Sequence, residues 1–236
     1  MPEKFEFNSL SEEQQQSFRE WGKLFKICNN PPPAGVGVGT IVIPTGDWME
    51  RVEAGFNFFT QIYDQQELKP HLLITGQNSS QYILPKTGAD AFKIARAIRI
   101  RGRLSEEMKQ QIVVDGNATN TKEQTDNTYA LLQQGVIHGP LITFVSAWHF
   151  PRWYSTFVKT ILTAEGEKLN TRLFSSAVFK PWNERSKDIP QIRRDRIVTE
   201  VDRIHKYREK GDVAAEEEVT GYVNWLKSQN PWGALP

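Results

Sequence analysis

The chain has almost no excess of charge of either sign. Its 236 residues include 29 Lys and Arg against 28 Asp and Glu, a formal net charge of +1. A balanced surface exerts no general attraction on a polyanion or an anionic membrane. Arg193, Arg194 and Arg196 form a basic cluster, but their predicted helix also carries Glu200, and mixed charge is typical of a solvated helix face. We therefore expect neither nucleic acid nor a membrane among the partners.

Cysteine is nearly absent, and metal-ligand spacings are absent altogether. Cys28 is the one cysteine, so no disulfide can form within the chain, and no histidine stands beside it to activate a thiolate. We predict a structural thiol. No histidine pair or cysteine cluster has the spacing of metal ligands, so we predict no metal site of that kind. Carboxylates alone leave a weak Mg²⁺ or Ca²⁺ site open.

Long apolar runs are also lacking. The longest nearly apolar run, residues 141–150, is interrupted by Thr143, Ser146 and His149. A membrane helix needs about 20 apolar residues, so this run predicts a buried strand with its exit loop. Residues 1–16 are polar and acidic and do not resemble a signal peptide. These features predict a soluble, cytoplasmic protein.

Short apolar runs alternate with polar loops and helical segments from Thr40 onward, as in a series of βαβ units. The apolar runs are continuous, which is typical of parallel strands buried on both faces. We predict a three-layer, Rossmann-like α/β fold: a mostly parallel sheet of about five strands with helices on both faces, plus N-terminal and C-terminal helices. The predicted strands are residues 40–43, 71–75, 111–114, 141–145 and a fifth near 171–175.

The helices are predicted from apolar residues spaced three and four apart. Residues 1–33 are predicted to hold an N-terminal helix and a proline-rich linker, because Pro31, Pro32 and Pro33 cannot continue a helix. Residues 34–236 are predicted to form one α/β domain with a C-terminal helical extension. Its helices are expected at 49–63, 89–100, 122–132, from Pro151 onward, at 197–208, and from a cap at Asp212 through Trp225.

Polar and charged groups follow four of the predicted strands, whereas the turns that enter the strands resemble ordinary loops. All crossovers of a parallel sheet leave from one edge, and ligands bind there. We therefore predict a polar small-molecule site at this edge. The predicted catalytic residues are His149, Glu123 and Arg152, and the predicted ligand-binding residues are Gly46, Asp47, Arg51, Thr75, Gly76, Gln77, Asn120, Thr121 and Ser146.

Each group in this set has a chemical reason to be there. Gly46 and Gly76 allow a ligand to approach the backbone closely. Arg51 and Arg152 can bind a carboxylate or phosphate in a bidentate manner, or they can pair with an acidic neighbour such as Asp47 or Glu123. The ordinary pKa of histidine suits proton transfer near neutral pH, which makes His149 the candidate acid or base.

The same segments resemble the YdcF/SanA/ElyC-like family over residues 40–162. Arg51 matches an arginine in the family's first helix, and the sequence departs from the family at Gln77 and Gln124, where the pattern has glycine and asparagine. The resemblance implies a bacterial protein with a Rossmann-like core, and it adds Asp90 to the candidate ligand-binding residues. Its most specific segments are Thr119-Asn120-Thr121-Lys122-Glu123-Gln124 and Val145-Ser146-Ala147-Trp148-His149-Phe150-Pro151-Arg152.

Three functions are compatible with these residues. The first is an enzyme, a hydrolase or transferase on a small anionic or nucleotide-like substrate, with Arg51 and Arg152 holding charge, Glu123 orienting, and His149 as acid or base. The second is a non-catalytic module that binds S-adenosylmethionine or another nucleotide-type ligand, which the resemblance suggests. The third is a scaffold that docks a partner through a tryptophan-rich C-terminal tail, including Trp225 and Trp232.

Overall fold

A parallel sheet forms the centre of the computed structural model, which describes residues 7–45, 49–77, 91–101, 104–179, 185–186 and 189–229. Its strands are β1 (Thr40–Pro44), β2 (His71–Thr75), β3 (Ile112–Asp115), β4 (Leu141–Ser146) and β5 (Leu173–Val178). They lie in the order β3-β2-β1-β4-β5, and every pair is parallel. A separate antiparallel pair consists of β6 (Arg185–Ser186) and β7 (Ile189–Ile192).

Helices cover the sheet. They are α1 (Glu12–Cys28), α2 (Met49–Tyr63), α3 (Ala91–Arg101), α4 (Glu106–Gln110), α5 (Thr121–Gln133), α6 (Phe150–Glu165), α7 (Arg193–Glu209) and α8 (Glu216–Ser228). Because crossovers are right-handed, α2 and α3 lie on one face, and α5 and α6 lie on the other after the strand order reverses. Helices α1, α7 and α8 pack against α6. The predicted three-layer, Rossmann-like fold is therefore confirmed.

The continuous apolar runs explain why the sheet is central. All five residues of β1 and all six of β4 are buried, and Ile41, Ile43 and Val145 have no exposed surface. Full burial of such a side chain contributes roughly 1.5–3 kcal/mol. The core that results is continuous across the sheet and holds its carboxyl edge in a fixed geometry.

Helix α1 joins the core although it precedes the sheet in the chain. Trp21 Nε1 donates a hydrogen bond to the backbone oxygen of Trp148, at 3.2 Å. Cys28, at the end of α1, is completely buried, and burial raises the pKa of its thiol to about 12. This environment agrees with the predicted structural thiol. None of the helices in the described ranges combines the length and the apolar character needed to cross a membrane.

The structure differs from the prediction in the position of the fifth strand and in the start of α8. The fifth strand is Leu173–Val178 rather than 171–175. Helix α8 begins at Glu216, and its N-cap is Ala215 rather than Asp212. The reason is that Glu218 accepts a hydrogen bond from the Ala215 amide and anchors an acidic first turn, whereas the Asp212 amide bonds back to Tyr207 at the end of α7. Helix α4 and the β6–β7 pair were not predicted.

Candidate functional site

The strand order reverses between β1 and β4, and this reversal defines a topological switch point. The chain leaves β1 towards β2 and leaves β4 towards β5, so the two exits diverge at the carboxyl edge. Arg51 lies in the first turn of α2, which follows β1, and His149 is the N-cap residue of α6, which follows β4. The fold therefore places both residues at the edge where parallel sheets bind ligands.

Arg51 is a buried cation. The whole residue is 2% exposed, and α2 packs against both β1 and β4. A guanidinium keeps its proton in proteins, so burial does not remove its charge. Arg51 therefore supplies a permanent positive charge within the protein at the switch point.

His149, Arg152 and Glu200 form one buried polar cluster. Arg152 Nε donates to Glu200 Oε2 at 2.6 Å, and Arg152 Nη2 lies 3.1 Å from His149 Nδ1. The same His149 nitrogen lies 3.2 Å from Glu200 Oε2. The three residues come from α6 and α7, so the C-terminal helical extension reaches the edge of the sheet.

Two further contacts fix this cluster in place. Arg152 Nη1 donates to Thr121 Oγ1 at 3.0 Å, which connects the cluster to the first residue of α5. Arg203 Nη1 donates to Glu200 Oε1 at 2.8 Å from one turn further along α7. Helices α5, α6 and α7 are thus joined through one guanidinium and one carboxylate.

Glu200 is ionised within this environment. Its side chain is 1% exposed, and burial raises its pKa, but the charges of Arg152 and His149 lower the pKa by more. The pKa of the carboxyl therefore lies below its usual value of 4.5. At neutral pH the cluster contains a buried carboxylate that accepts hydrogen bonds from two arginines.

Glu123 has a different set of contacts. Its Oε2 accepts hydrogen bonds from the backbone amide and the hydroxyl of Thr119, both at 2.7 Å, and its own amide donates to Asn120 Oδ1. The Thr119 amide is the main cause of the lowered pKa of Glu123. This arrangement caps α5. The acidic partner of Arg152 is thus Glu200, where the sequence suggested Glu123.

The exits of β2 and β3 are joined by side chains. Thr75 Oγ1 donates to Asp115 Oδ2 at 2.7 Å, and Asn127 Nδ2 donates to both Asp115 oxygens at 3.2 Å. Gln124 Nε2 donates to the carbonyl oxygens of Thr45 and Thr75, each at 3.2 Å. Gln124 therefore connects the exits of β1 and β2, a role that was not predicted.

Of the remaining predicted residues, some lie in the described part of the chain and some lie outside it. Gly76 and Gln77 follow β2, with Gln77 exposed, and Ser146 ends β4 and accepts a backbone hydrogen bond from His149. Asn120 and Thr121 lie at the start of α5. Gly46, Asp47 and Asp90 fall outside the described residues. Within the described ranges, no three His, Cys, Asp or Glu side chains are grouped closely enough to hold a metal ion.

The sequence does indicate that Glu200 is buried, but the mixed charges of the same segment favoured the interpretation as a solvated face. Ile197, Val201 and Ile204 are buried, and Glu200 falls at helical spacing from Ile197 and Ile204, on the same stripe. The interpretation of this segment as a solvated face is wrong at that position. A carboxylate on the apolar stripe of a helix indicates a buried charge with a partner.

No protein-family model matches the chain, and a search of curated proteins finds no match. The resemblance to the YdcF/SanA/ElyC-like family stays a prediction.

Proposed function

We propose that this protein binds a small anionic or nucleotide-type molecule at the carboxyl edge of its sheet and uses His149 as an acid or base. The reaction would be a hydrolysis or a group transfer. One observation carries the proposal: His149 stands at the β4 exit with Nδ1 within hydrogen-bond distance of Arg152 and of the buried Glu200.

The charges at this edge support an anionic ligand. Arg51 is buried at the β1 exit, and in the part of the chain that the structure describes Arg152 and Arg203 share one carboxylate, that of Glu200. Helices α5 and α6 begin at the same edge, and the amides of a helix N-terminus favour an anion. Fixed positive charge and helix starts therefore act in the same direction.

The contacts of His149 support a role in proton transfer. A histidine that acts as a base is commonly oriented through one ring nitrogen by a carboxylate, while the other nitrogen meets the substrate. Glu200 lies beside Nδ1, at 3.2 Å, which is the position of the orienting carboxylate in such a pair. The whole residue is 8% exposed and its side chain 11%, so the side chain is largely shielded from bulk water.

The family resemblance is part of this proposal. The two segments that carry it contain Thr121, His149 and Arg152, which meet in one cluster. Family membership would make S-adenosylmethionine or another nucleotide-type compound the first ligands to try.

Ligand binding can be tested by thermal unfolding with inorganic phosphate, adenosine monophosphate, glucose 6-phosphate and S-adenosylmethionine. A ligand at 100 times its Kd stabilises the native state by about 2.7 kcal/mol. We expect at least one probe to raise the Tm of the wild type and of Arg99→Met, but not of Arg51→Met. Arg99 is the control because it contacts the Ile112 oxygen at the start of β3, away from the exits. An equal response of all three proteins would refute the site.

Catalysis is tested with the probe that gives the largest shift, by following product formation with mass spectrometry. We expect His149→Gln to keep the thermal shift and to lose turnover by a factor of roughly 10²–10⁴, the usual contribution of an acid or base. His205→Gln is the control, because His205 lies on α7 and pairs with Glu20. Binding without turnover in the wild type would favour the non-catalytic module instead.

A further inference from the structure

We propose that Glu200 is a positioning residue for His149 and Arg152, and that α7 is therefore part of the functional site. The role of Glu200 in function rests on the proposed function. Its effect on the proton affinity of the His149 imidazole can be measured independently. The carboxylate is assigned the task of holding both side chains at the β4 exit and stabilising the protonated form of His149.

The first argument is the geometry of the carboxylate. Its Oε2 lies 2.6 Å from Arg152 Nε and 3.2 Å from His149 Nδ1, while Oε1 accepts from Arg203 at 2.8 Å. Arg152 Nη2 also reaches Oε1 at 3.4 Å. Glu200 thus contacts His149 and its neighbour Arg152 simultaneously, which fixes the position of one relative to the other.

The second argument is the free-energy cost of burying the Glu200 carboxylate. Glu200 lies on the stripe of α7 that carries Ile197, Val201 and Ile204, where an apolar residue would pack without a desolvation penalty. Burying a carboxylate costs several kcal/mol unless charged partners compensate it. Two arginines and a histidine surround Glu200, so the fold devotes a buried position to a charge whose neighbours belong to the candidate site.

The third argument concerns the two partners of His149 Nδ1. Arg152 Nη2, at 3.1 Å, can only donate a hydrogen bond, and the Glu200 carboxylate, at 3.2 Å, can only accept one. With a proton on Nδ1, the ring donates to Glu200 and Nε2 is the basic nitrogen. Without Glu200, Arg152 is the donor that Nδ1 faces, which favours the proton on Nε2 and lowers the proton affinity of the ring. Glu200 therefore decides which nitrogen acts as the base.

The charged groups that face this histidine come from two helices in the described part of the chain. Helix α6 contributes Arg152, and α7 contributes Glu200, Arg203 and Arg196, whose guanidinium lies 4.5 Å from the centre of the Trp148 ring beside His149. Helix α5 contributes the uncharged Thr121. Because the other charged groups are cations, Glu200 alone in this set raises the proton affinity of His149.

The test is an NMR titration of His149 in the protein without any ligand, with the signal assigned by His149→Gln. An opposite charge at this distance shifts a pKa by about 1–3 units, so Glu200→Gln should lower the pKa of His149 by at least about one unit. Glu200→Asp should restore part of the loss. Glu218→Gln is the control, because Glu218 is a partly buried carboxylate on another helix, held by Lys159 at 2.7 Å.

A second variant keeps the test decisive if Glu200→Gln does not fold. Arg203 is 41% exposed on the far side of the carboxylate, and Arg203→Met should raise the pKa of His149 because Glu200 then has one cation fewer to neutralise it. An unchanged His149 pKa in a folded Glu200→Gln, or an unchanged one in Arg203→Met, would overturn the inference. Neither readout involves substrate, so a failure here is separate from a failure of ligand binding or turnover.

Discussion

A methyl group on Gly76 would overlap with the side-chain amide of Gln124. Gly76 has a φ of +119°, a conformation that L residues rarely adopt, and it directly follows β2. The Gln124 amide occupies the space beside it because it donates to the carbonyl oxygens of Thr45 and Thr75. Glycine at this turn thus leaves room for the Gln124 side chain, which connects the exits of β1 and β2 to α5.

Gly76→Ala is therefore expected to destabilise the protein by about 3 kcal/mol or more, since it adds backbone strain and displaces Gln124 from two buried carbonyls. Urea unfolding measures the change. Gly135→Ala is the control, because Gly135 has a φ of +70° with no atom within 4 Å of an added Cβ, and strain alone should cost about 1 kcal/mol. Equal losses in the two variants would show that the overlap of the added methyl group with Gln124 and with the Thr45 hydroxyl has no energetic weight.

Tyr222→Phe should cost about 2–3 kcal/mol in the free energy of unfolding. The Tyr222 hydroxyl donates to the Thr171 oxygen at 2.8 Å and accepts from the Leu173 amide at 2.9 Å, and the residue is 1% exposed. The variant leaves two buried backbone groups without this partner. Tyr129→Phe, which loses a partly exposed bond to Glu165 at 3.2 Å, should cost less than about 1 kcal/mol. The order of the two losses is the result to check.

The stability of the protein should fall as the pH drops below about 6.5. Burial lowers the pKa of both His71 and His138, and the charge of His138 lowers that of His71 further; the two rings lie 4.6 Å apart. Below pH 6.5 the unfolded chain therefore binds more protons than the folded chain. The contribution of these two histidines to the free energy of unfolding is complete above the unfolded pKa of 6.5 and declines below it.

Urea unfolding at pH 7.5, 6.5 and 5.5 measures this decline, and His71→Gln should make it shallower. His205→Gln, which changes a half-exposed histidine on α7, should not. A decline that is as steep in His71→Gln as in the wild type would assign it to other groups.

The strands were predictable because each buried strand is a short, continuous apolar run in the sequence. The run at 71–75 stands between Pro70 and Gly76, and the structure begins and ends β2 at the predicted residues. The start of α8 was not predictable, because by residue type Asp212 is a much better N-cap than Ala215, the residue that takes this position. Its position was decided by three consecutive glutamates, of which Glu218 reaches back to the Ala215 amide.

The shared edge of the site was also predictable, because parallel strands bring their exits together whatever their separation along the chain. The partner of Arg152 was not, since Glu200 is 48 positions away and reaches it only when α7 packs beside α6. Glu123, nearer in sequence, satisfies its carboxylate locally with Thr119. Local hydrogen bonds thus removed the expected partner, and tertiary packing supplied another.

The contact between Trp21 and Trp148 has a consequence for how this protein is made. The two residues are 127 positions apart, and α1 packs against α6, α7 and α8, so the ribosome releases α1 long before any surface exists to receive it. Throughout that interval Trp21, Leu24 and Phe25 face water on a nascent chain whose sheet is still incomplete. Helix α1 is synthesised before the three helices that it packs against, so its apolar side is exposed to chaperones until those helices have formed.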